Sequence, residues 1–212
     1  MLKKFVFFAI NGYMKFYKII LFLFLITNAH SNDEFKLRKI TDLNNPWSMT
    51  FLNNEEILIS DKEGQIQNIN LKNKIINKVN HNLNYKVDGQ GGLLEILKHK
   101  DSIYLCYTED RGSGKTSTSI AKAKFTKNNL NFKNIFQANP PINSGYHYGC
   151  RMVIQDDKYL YASVGERGGG NIAQDFNQHP GSIIKINLDG SVPKDTHRVR
   201  GKPDGVREIK QM

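Results

Sequence analysis

The sequence predicts an all-β protein, a partial β-propeller of about three to four four-stranded antiparallel blades. Three observations favour this fold. No long apolar pattern with a 3.6-residue period follows residue 35, short β-rich runs recur between polar clusters, and a three-strand unit repeats. Copies of the unit begin at Trp47, Leu93 and Cys150, which are 46 and 57 residues apart. These offsets are close to the ~40 to 50 residues of a propeller blade.

Each copy of the repeat contains an inner apolar strand, a polar turn, a second strand that ends in charged residues, and a third strand of alternating pattern. The charged corner recurs at residues 61–64, 109–112 and 166–168. A β-sandwich has similar strand spacing, but the repeated corner favours radially arranged blades. An incomplete ring exposes strand edges and apolar blade faces, so we expect self-association to be possible through them.

The first 29 residues are predicted to be a signal peptide. Lys15 and Lys18 precede the apolar run Ile19 to Ile26, and Thr27 to Ala29 offers small or polar residues for cleavage. The run is shorter than the ~20 apolar residues of a membrane span. We therefore expect a periplasmic or secreted protein without a stable membrane span after cleavage, with residues 30–212 forming the propeller portion.

The net charge of +10 does not indicate a nucleic-acid partner. Four lysines belong to the predicted leader, and without them the charge is +6. The remaining basic residues are scattered among Asn and acidic residues, apart from the tail after Thr196. We expect a solvated basic surface and no nucleic-acid binding.

Twelve strands are predicted along the mature chain. In order, their sequences are FKLRKI, WSMTFL, EILIS, QIQNIN, KIINKV, LLEILK, SIYLCYT, TSIAKAKF, NFKNIFQ, RMVIQ, YLYASVG and SIIKINL. The sequence has two cysteines: Cys106 lies within SIYLCYT, and Cys150 directly precedes RMVIQ. An oxidising compartment would allow these two to pair, but nothing in the sequence places them together. Two buried free thiols inside strands are the favoured interpretation.

The segment from Ser144 to Gly170 predicts a hairpin with chemistry at its open end. One strand follows His147, a polar turn lies at residues 155–158, and the second strand ends at Glu166. Antiparallel pairing brings His147 and Glu166 to one rim. A carboxylate beside an imidazole fixes its tautomer and supports its protonated form, which is the arrangement of a general base. A surface His and a surface Glu on neighbouring turns are the alternative.

The segment DGQGGLLEI, at residues 88–96, predicts a tight turn directly before an inner strand. Its three glycines place Asp88 and Gln90 at the rim that faces the central channel of a propeller. With His147 and Glu166 on the neighbouring blade, Gln90 becomes a candidate contact for a sugar or a cofactor.

The strings NPWSMTFL, GQGGLLEI, HYGCR, VGERGGG, AQD and INLDGSVPKD, in this order, resemble the soluble aldose dehydrogenases that depend on pyrroloquinoline quinone (PQQ), the glucose/sorbosone dehydrogenase family. The resemblance covers about residues 43–195. It implies a six-bladed propeller that binds PQQ and calcium over the channel mouth, oxidises an aldose at C1 to the lactone, and passes electrons to an external acceptor.

The resemblance also implies roles for individual residues. His147 takes the proton of the C1 hydroxyl as hydride moves to PQQ, and Glu166 orients His147. Gln90, with Asp88 beside it, contacts sugar and cofactor, and Arg151 has a structural role. Most residues that bind PQQ and calcium in the family come after the segment that this sequence matches, so we expect no metal ligands here and an amino-terminal portion that is inactive alone.

Two other functions are compatible with an exported propeller. A calcium-dependent lactonase needs a cluster of acidic and Asn ligands at the channel mouth, which these blades do not show in sequence. A non-catalytic binding propeller needs neither a base nor its partner. Substitution of His147 separates both from a dehydrogenase.

Overall fold

The computed structural model describes residues 36–194 and the short strand Glu208–Ile209. Within that part of the chain, the regular structure consists of β-strands and one 3-10 helix, Gly170–Gln174. No described helix is long and apolar enough to cross a membrane. The predicted signal peptide, residues 1–29, lies outside the described residues.

The strands form three sheets, which we call blades 1, 2 and 3. Blade 1 contains β1 (Pro46–Phe51), β2 (Glu56–Asp61), β3 (Ile66–Asn70) and β4 (Ile76–His81). Blade 2 contains β5 (Leu93–His99), β6 (Ser102–Asp110), β7 (Thr116–Lys124) and, after the two-residue β8 (Asn129–Leu130), β9 (Lys133–Gln137). Blade 3 contains β10 (Gly149–Gln155), β11 (Tyr159–Val164), β12 (Ser182–Asn187) and β13 (Glu208–Ile209).

The blades confirm the predicted partial propeller. Neighbouring strands within each blade are antiparallel, except that β13 pairs with β12 in parallel, and β8 adds to the outer edge of blade 1 in parallel with β4. The prediction of a strand at residues 35–40 is wrong, because residues 36–40 pair with no other strand and Leu37 is fully exposed. An alternating pattern alone does not make a strand where no neighbouring strand pairs with it.

Apolar cores fill the spaces between neighbouring blades. Leu58, Ile66 and Val79 of blade 1 meet Ile96, Ile103 and Leu105 of blade 2 in one core. Leu94, Tyr104 and Ile120 of blade 2 meet Met152, Leu160 and Ile184 of blade 3 in the other. Because successive side chains of a strand point to opposite faces, blade 2 contributes to both cores. Its strand β6 is buried without interruption from residue 103 to residue 109, whereas β10 in blade 3 alternates.

The inner strands β1, β5 and β10 are bridged by side chains instead of a backbone ladder. Ser48 Oγ accepts a hydrogen bond from the Ile96 N–H (3.3 Å), and Thr50 Oγ1 accepts one from the Lys98 N–H (3.1 Å). On the other side of β5, the Glu95 carboxylate accepts a hydrogen bond from the backbone N–H of Met152 in β10. These contacts set the spacing of the three inner strands.

Cys106 in β6 and Cys150 in β10 form a disulfide, with their Cα atoms 6.3 Å apart. The prediction of two free thiols is therefore wrong. Both cysteines lie in the core between blades 2 and 3, where the faces of two separate sheets meet. That meeting depends on how the blades pack, which a separation of 44 residues in sequence does not reveal.

The outward faces of blades 1 and 3 expose apolar side chains. In β1, Ser48 and Thr50 bond to blade 2, whereas Trp47, Met49 and Phe51 alternate with them and are 40 to 59% exposed. In β10, Val153 is 60% exposed on the face opposite the disulfide. Self-association through these faces stays a prediction.

Candidate functional site

The hairpin of β10 and β11 brings His147 beside Glu166. Gln155 pairs with Tyr159 at the turn, and Gly149 pairs with Val164 at the open end. Beyond that pair, the Arg167 N–H donates a hydrogen bond to the His147 carbonyl (3.3 Å). Nδ1 of His147 contacts Oε1 of Glu166 directly.

The contact has electrostatic consequences for both side chains. The hydrogen bond from His147 lowers the pKa of Glu166 below its ordinary value, although partial burial opposes the shift. The Gly168 N–H also donates to Oε1 of Glu166 (3.2 Å), which favours the ionised carboxylate further. When the His147 ring is neutral, an ionised Glu166 carboxylate favours its single N–H proton on Nδ1, so the free lone pair is on Nε2.

The Nε2 atom of His147 is available to a ligand. The His147 side chain is 53% exposed, and no residue in the described ranges makes a hydrogen bond to Nε2. Protonation of Nε2 creates an imidazolium that is already paired with Glu166. The arrangement can therefore accept a proton from a hydroxyl group placed against the exposed edge of the ring.

Gln90 holds the backbone at His147 from blade 2. Its side-chain Oε1 accepts a hydrogen bond from the His147 N–H (2.9 Å), and its own N–H donates to the Gly145 carbonyl (2.8 Å). His147 has a φ of 49°, in the left-handed region that few non-glycine residues occupy. The predicted convergence of Gln90, His147 and Glu166 from two blades is therefore observed, and the side-chain amide nitrogen of Gln90 remains as a donor at an exposed position.

Asp88 lies behind the rim and contacts the His147 loop. The Tyr148 hydroxyl donates a 2.9 Å hydrogen bond to the Ser144 carbonyl and lies 3.4 Å from Asp88 Oδ2. Burial raises the pKa of Tyr148, so its hydroxyl stays a donor. Asp88 supports the loop in this way, and its predicted contact with substrate or cofactor stays a prediction.

Two glycines make the close approach of these loops possible. A Cβ atom on Gly165 would collide with the His147 carbonyl oxygen, and one on Gly89 would collide with the Gly145 carbonyl oxygen. Gly89 also has a φ of 56°. The segments that contain Gly89 and Gly165 therefore approach the His147 loop with their backbones, and neither position has room for a side chain.

The sequence interpretation missed Arg167. Its side chain is only 3% exposed, and its guanidinium donates hydrogen bonds to the carbonyls of Tyr146 and Thr116, both 3.0 Å away. The signal was present as the basic residue of the third charged corner, directly after Glu166. A charged corner on a rim predicts an exposed side chain, so burial of the arginine was not foreseen.

The rim also offers surfaces that can contact a bound group. The Tyr146 ring is 62% exposed and lies 6.2 Å from the His147 ring, centre to centre. Together with the amide of Gln90, it can contact a flat polar ligand beside the base. Among residues 36–194, no group of three or more His, Cys, Asp or Glu side chains is arranged to hold a metal ion.

Several known proteins similar to this chain are sugar dehydrogenases. The aldose sugar dehydrogenase YliI of Escherichia coli (strain K12) is 26% identical over 174 residues, which is 78% of this chain and 46% of that protein. A crystal structure of a glucose dehydrogenase matches with a TM-score of 0.71 at 27% identity, over 74% of this chain and 49% of that chain. The PQQ-bound form of an aldose sugar dehydrogenase from Streptomyces coelicolor matches with a TM-score of 0.65 at 25% identity, over 79% of this chain and 52% of that chain.

These matches cover about half the length of each relative, so they concern the blades described above. The family model for glucose/sorbosone dehydrogenases matches residues 43–209, which include all three blades and the rim with His147, Glu166 and Gln90. The chain belongs to the glucose/sorbosone dehydrogenase family.

Proposed function

We propose that this chain supplies the proton-accepting side of a site that oxidises the C1 hydroxyl of an aldose to the lactone. One observation carries the proposal: Nδ1 of His147 contacts the Glu166 carboxylate, while the side chain is 53% exposed and no described residue hydrogen-bonds to its Nε2 atom. Family membership and the sugar dehydrogenases among the relatives support an aldose as the substrate.

The chemistry removes one hydride and one proton from the sugar. The C1–H bond breaks with its electron pair, the O–H bond breaks to leave its electrons on oxygen, and the C1–O bond becomes double. Nε2 of His147 accepts the hydroxyl proton, and Glu166 stabilises the imidazolium that results. The backbone bond from His147 to Gln90 keeps the ring at a fixed position relative to the rim.

When bound, PQQ supplies the two-electron acceptor for the hydride. On this chain, Gln90 and Tyr146 would contact one side of the group, next to the base. The relative from Streptomyces coelicolor that matches this fold is a PQQ-bound form, which supports the assignment. Calcium has no fitting ligand cluster in the described residues, so no step in the proposal uses it.

The remaining parts of the proposal concern the surroundings of the protein. An external electron acceptor must reoxidise the reduced cofactor, and the leader-like first 29 residues favour a periplasmic or secreted location. Asp88 is proposed to contact the substrate or cofactor beside Gln90, and its hydrogen bond with the Tyr148 hydroxyl would hold the carboxylate in place.

Dye-linked oxidation of aldoses tests the proposal. The protein is purified as its host produces it, PQQ and calcium are added, and initial rates are compared for wild type and His147→Ala. We expect kcat to fall by about 10²- to 10⁴-fold, because a positioned general base contributes that much. His99→Ala is the matched control, since His99 ends β5 at the strand terminus away from Gln90. Equal rates for wild type and His147→Ala would contradict the proposal.

A further inference from the structure

Arg167 is a buried cation, and no carboxylate among residues 36–194 lies within salt-bridge distance of it. Its side chain is 3% exposed, although it directly follows Glu166 at the rim, and its φ of 61° turns it inward from the end of the hairpin. Desolvation by burial lowers the pKa of the guanidinium. Burial of a charge against neutral partners costs stability unless every donor is satisfied.

Two donors of Arg167 bond to the loop that carries His147. Nε donates to the Tyr146 carbonyl (3.0 Å), and Nη2 donates to the Ser144 carbonyl. These two carbonyls lie on either side of Gly145, one and three residues before His147. The guanidinium thus holds the loop at two points immediately before the proposed base.

The same guanidinium is anchored to blade 2. Nη1 donates to the Thr116 carbonyl (3.0 Å), and Nη2 donates to Thr116 Oγ1 (2.8 Å), at the first residue of β7. The plane of the guanidinium lies over the Tyr148 ring, 3.7 Å from its centre. Arg167 therefore connects the His147 loop to the first residue of β7 in blade 2.

We propose that Arg167 is a positioning residue for the His147 base. It does not reach the substrate, but it fixes the segment 144–148. The His147 N–H can then bond to Gln90 while Nδ1 of its ring contacts Glu166. The proposal rests on the proposed function for its kinetic consequence only. The structural consequence, a displaced His147 loop, is independent of any activity.

The kinetic test compares wild type, Arg167→Lys and Arg167→Gln in the dye-linked assay. We expect kcat to fall by about 10- to 100-fold in both variants, with KM changed by less than about 3-fold, because a base displaced by about 1 Å loses rate while the sugar contacts remain. Lysine keeps the charge but has a single donor group that cannot replace the planar fork, so Arg167→Lys should restore only a minor part of the loss. An unchanged kcat in Arg167→Gln would overturn the proposal.

The structural test uses no substrate. Hydrogen exchange of the His147 backbone N–H reports its bond to Gln90 Oε1, and we expect exchange to become at least about 10-fold faster in Arg167→Gln. NMR titration of the Glu166 carboxylate reports the His147 contact, and its lowered pKa should rise towards the ordinary value. Arg151→Gln is the matched control, because Arg151 lies in the same hairpin with a side chain that is 75% exposed. Unchanged exchange and titration in Arg167→Gln, or equal changes in Arg151→Gln, would overturn the proposal.

A milder variant covers the case in which Arg167→Gln does not fold. Tyr148→Phe keeps the ring under the guanidinium but removes the hydroxyl that bonds Ser144 and Thr116. It should accelerate exchange at His147 in the same direction by about 3-fold or more, and no acceleration would overturn the proposal.

The outcomes separate the two proposals. Wild type that is purified as its host produces it, is supplied with PQQ and calcium and still does not oxidise aldoses contradicts the proposed function. If its His147 loop is nevertheless released in the Arg167 and Tyr148 variants, the positioning role is supported. A wild-type enzyme that loses activity in His147→Ala but not in Arg167→Gln contradicts the positioning role alone.

Discussion

Two interfaces join the blades: the first lies between blades 1 and 2, and the second lies between blades 2 and 3. Both have apolar cores, but their polar connections differ. The first is joined by hydroxyl bridges such as Ser60 Oγ to the Leu94 carbonyl, 2.5 Å. The second contains the disulfide, the Glu95 carboxylate on β10, and Thr118 Oγ1 bound to the Tyr148 carbonyl at 2.7 Å.

The position of these connections explains the difference. The candidate base lies at the rim of the second interface, on the loop that leads into β10. The extra connections end on that loop or on β10 itself. Apolar packing holds blades together without fixing a rim loop to a fraction of an ångström, whereas directional bonds do. The second interface therefore combines two tasks, stability and placement of His147, which substitutions on either side of it can separate.

The disulfide should give the largest effect on stability. Replacement of both cysteines, Cys106→Ala with Cys150→Ala, is expected to lower the free energy of unfolding by about 2–4 kcal/mol, because the crosslink restricts the unfolded chain. Denaturant titration in the absence of reducing agent measures the change. Reducing agent should destabilise the wild type by a similar amount and leave the double variant unaffected. A double variant as stable as the oxidised wild type would show that packing alone holds this interface.

Gly165→Ala should have the next largest effect, and it should act on the site as well as on stability. The added Cβ collides with the His147 carbonyl oxygen, so the two ends of the hairpin must move apart. We expect a loss of about 1–3 kcal/mol, as for overpacking elsewhere, together with loss of the His147 contact in the Glu166 NMR titration.

The control for this change is Gly169→Ala in the same loop. A Cβ at Gly169 would meet the Glu166 carbonyl oxygen and an Ile172 methyl carbon at 3.3 Å each, which small shifts can relieve. The two variants should therefore differ in stability and in the titration of Glu166. If both retain the wild-type titration, the close backbone approach at Gly165 is not what places His147.

Two threonines offer a matched comparison between the interfaces. Thr118→Val removes the bond to the Tyr148 carbonyl, and Thr50→Val removes the acceptor of the Lys98 N–H. Each should cost about 1 kcal/mol, the usual net value of one hydrogen bond. Only Thr118→Val should accelerate hydrogen exchange at the His147 N–H. Equal exchange in both variants would mean that the second interface is no more important for the loop than the first.

Local patterns in the sequence were sufficient to predict the blades and the hairpin. Alternation and turn residues act over fewer than ten positions, so the ends of β10 and β11, and with them the meeting of His147 and Glu166, follow from the pairing of one hairpin. Gln90 was placed correctly because its glycine-rich turn directly precedes an inner strand.

The connections across the second interface could not be predicted in this way. Cys106 and Cys150 are 44 residues apart, and Arg167 and Thr116 are 51 residues apart. Their contacts depend on how one sheet packs against the next, for which no local periodicity exists. The same limit explains β8 and β13, which are two residues long and find their partners outside any hairpin.

The smallest expected effect concerns the stability that the His147–Glu166 pair contributes. Because the folded state lowers the pKa of Glu166, the pair stabilises the fold above the ordinary glutamate pKa of 4.5, and this contribution disappears as the pH falls through the lowered value. The two side chains are 53% and 28% exposed, so solvent screening limits the contribution to about 0.5 kcal/mol or less.

Glu166→Gln tests this contribution. The variant should be less stable than wild type near neutral pH, and the difference should vanish well below the ordinary glutamate pKa. Asp189→Asn is the control, since the pKa of Asp189 is also lowered, but by Ser191 in a turn of blade 3 away from the rim. Both variants should lose a pH-dependent increment of stability, whereas only Glu166→Gln should shift the ring resonances of His147. A shift of those resonances in Asp189→Asn would mean that the His147 environment is set by the general charge of blade 3 and not by its partner at the rim.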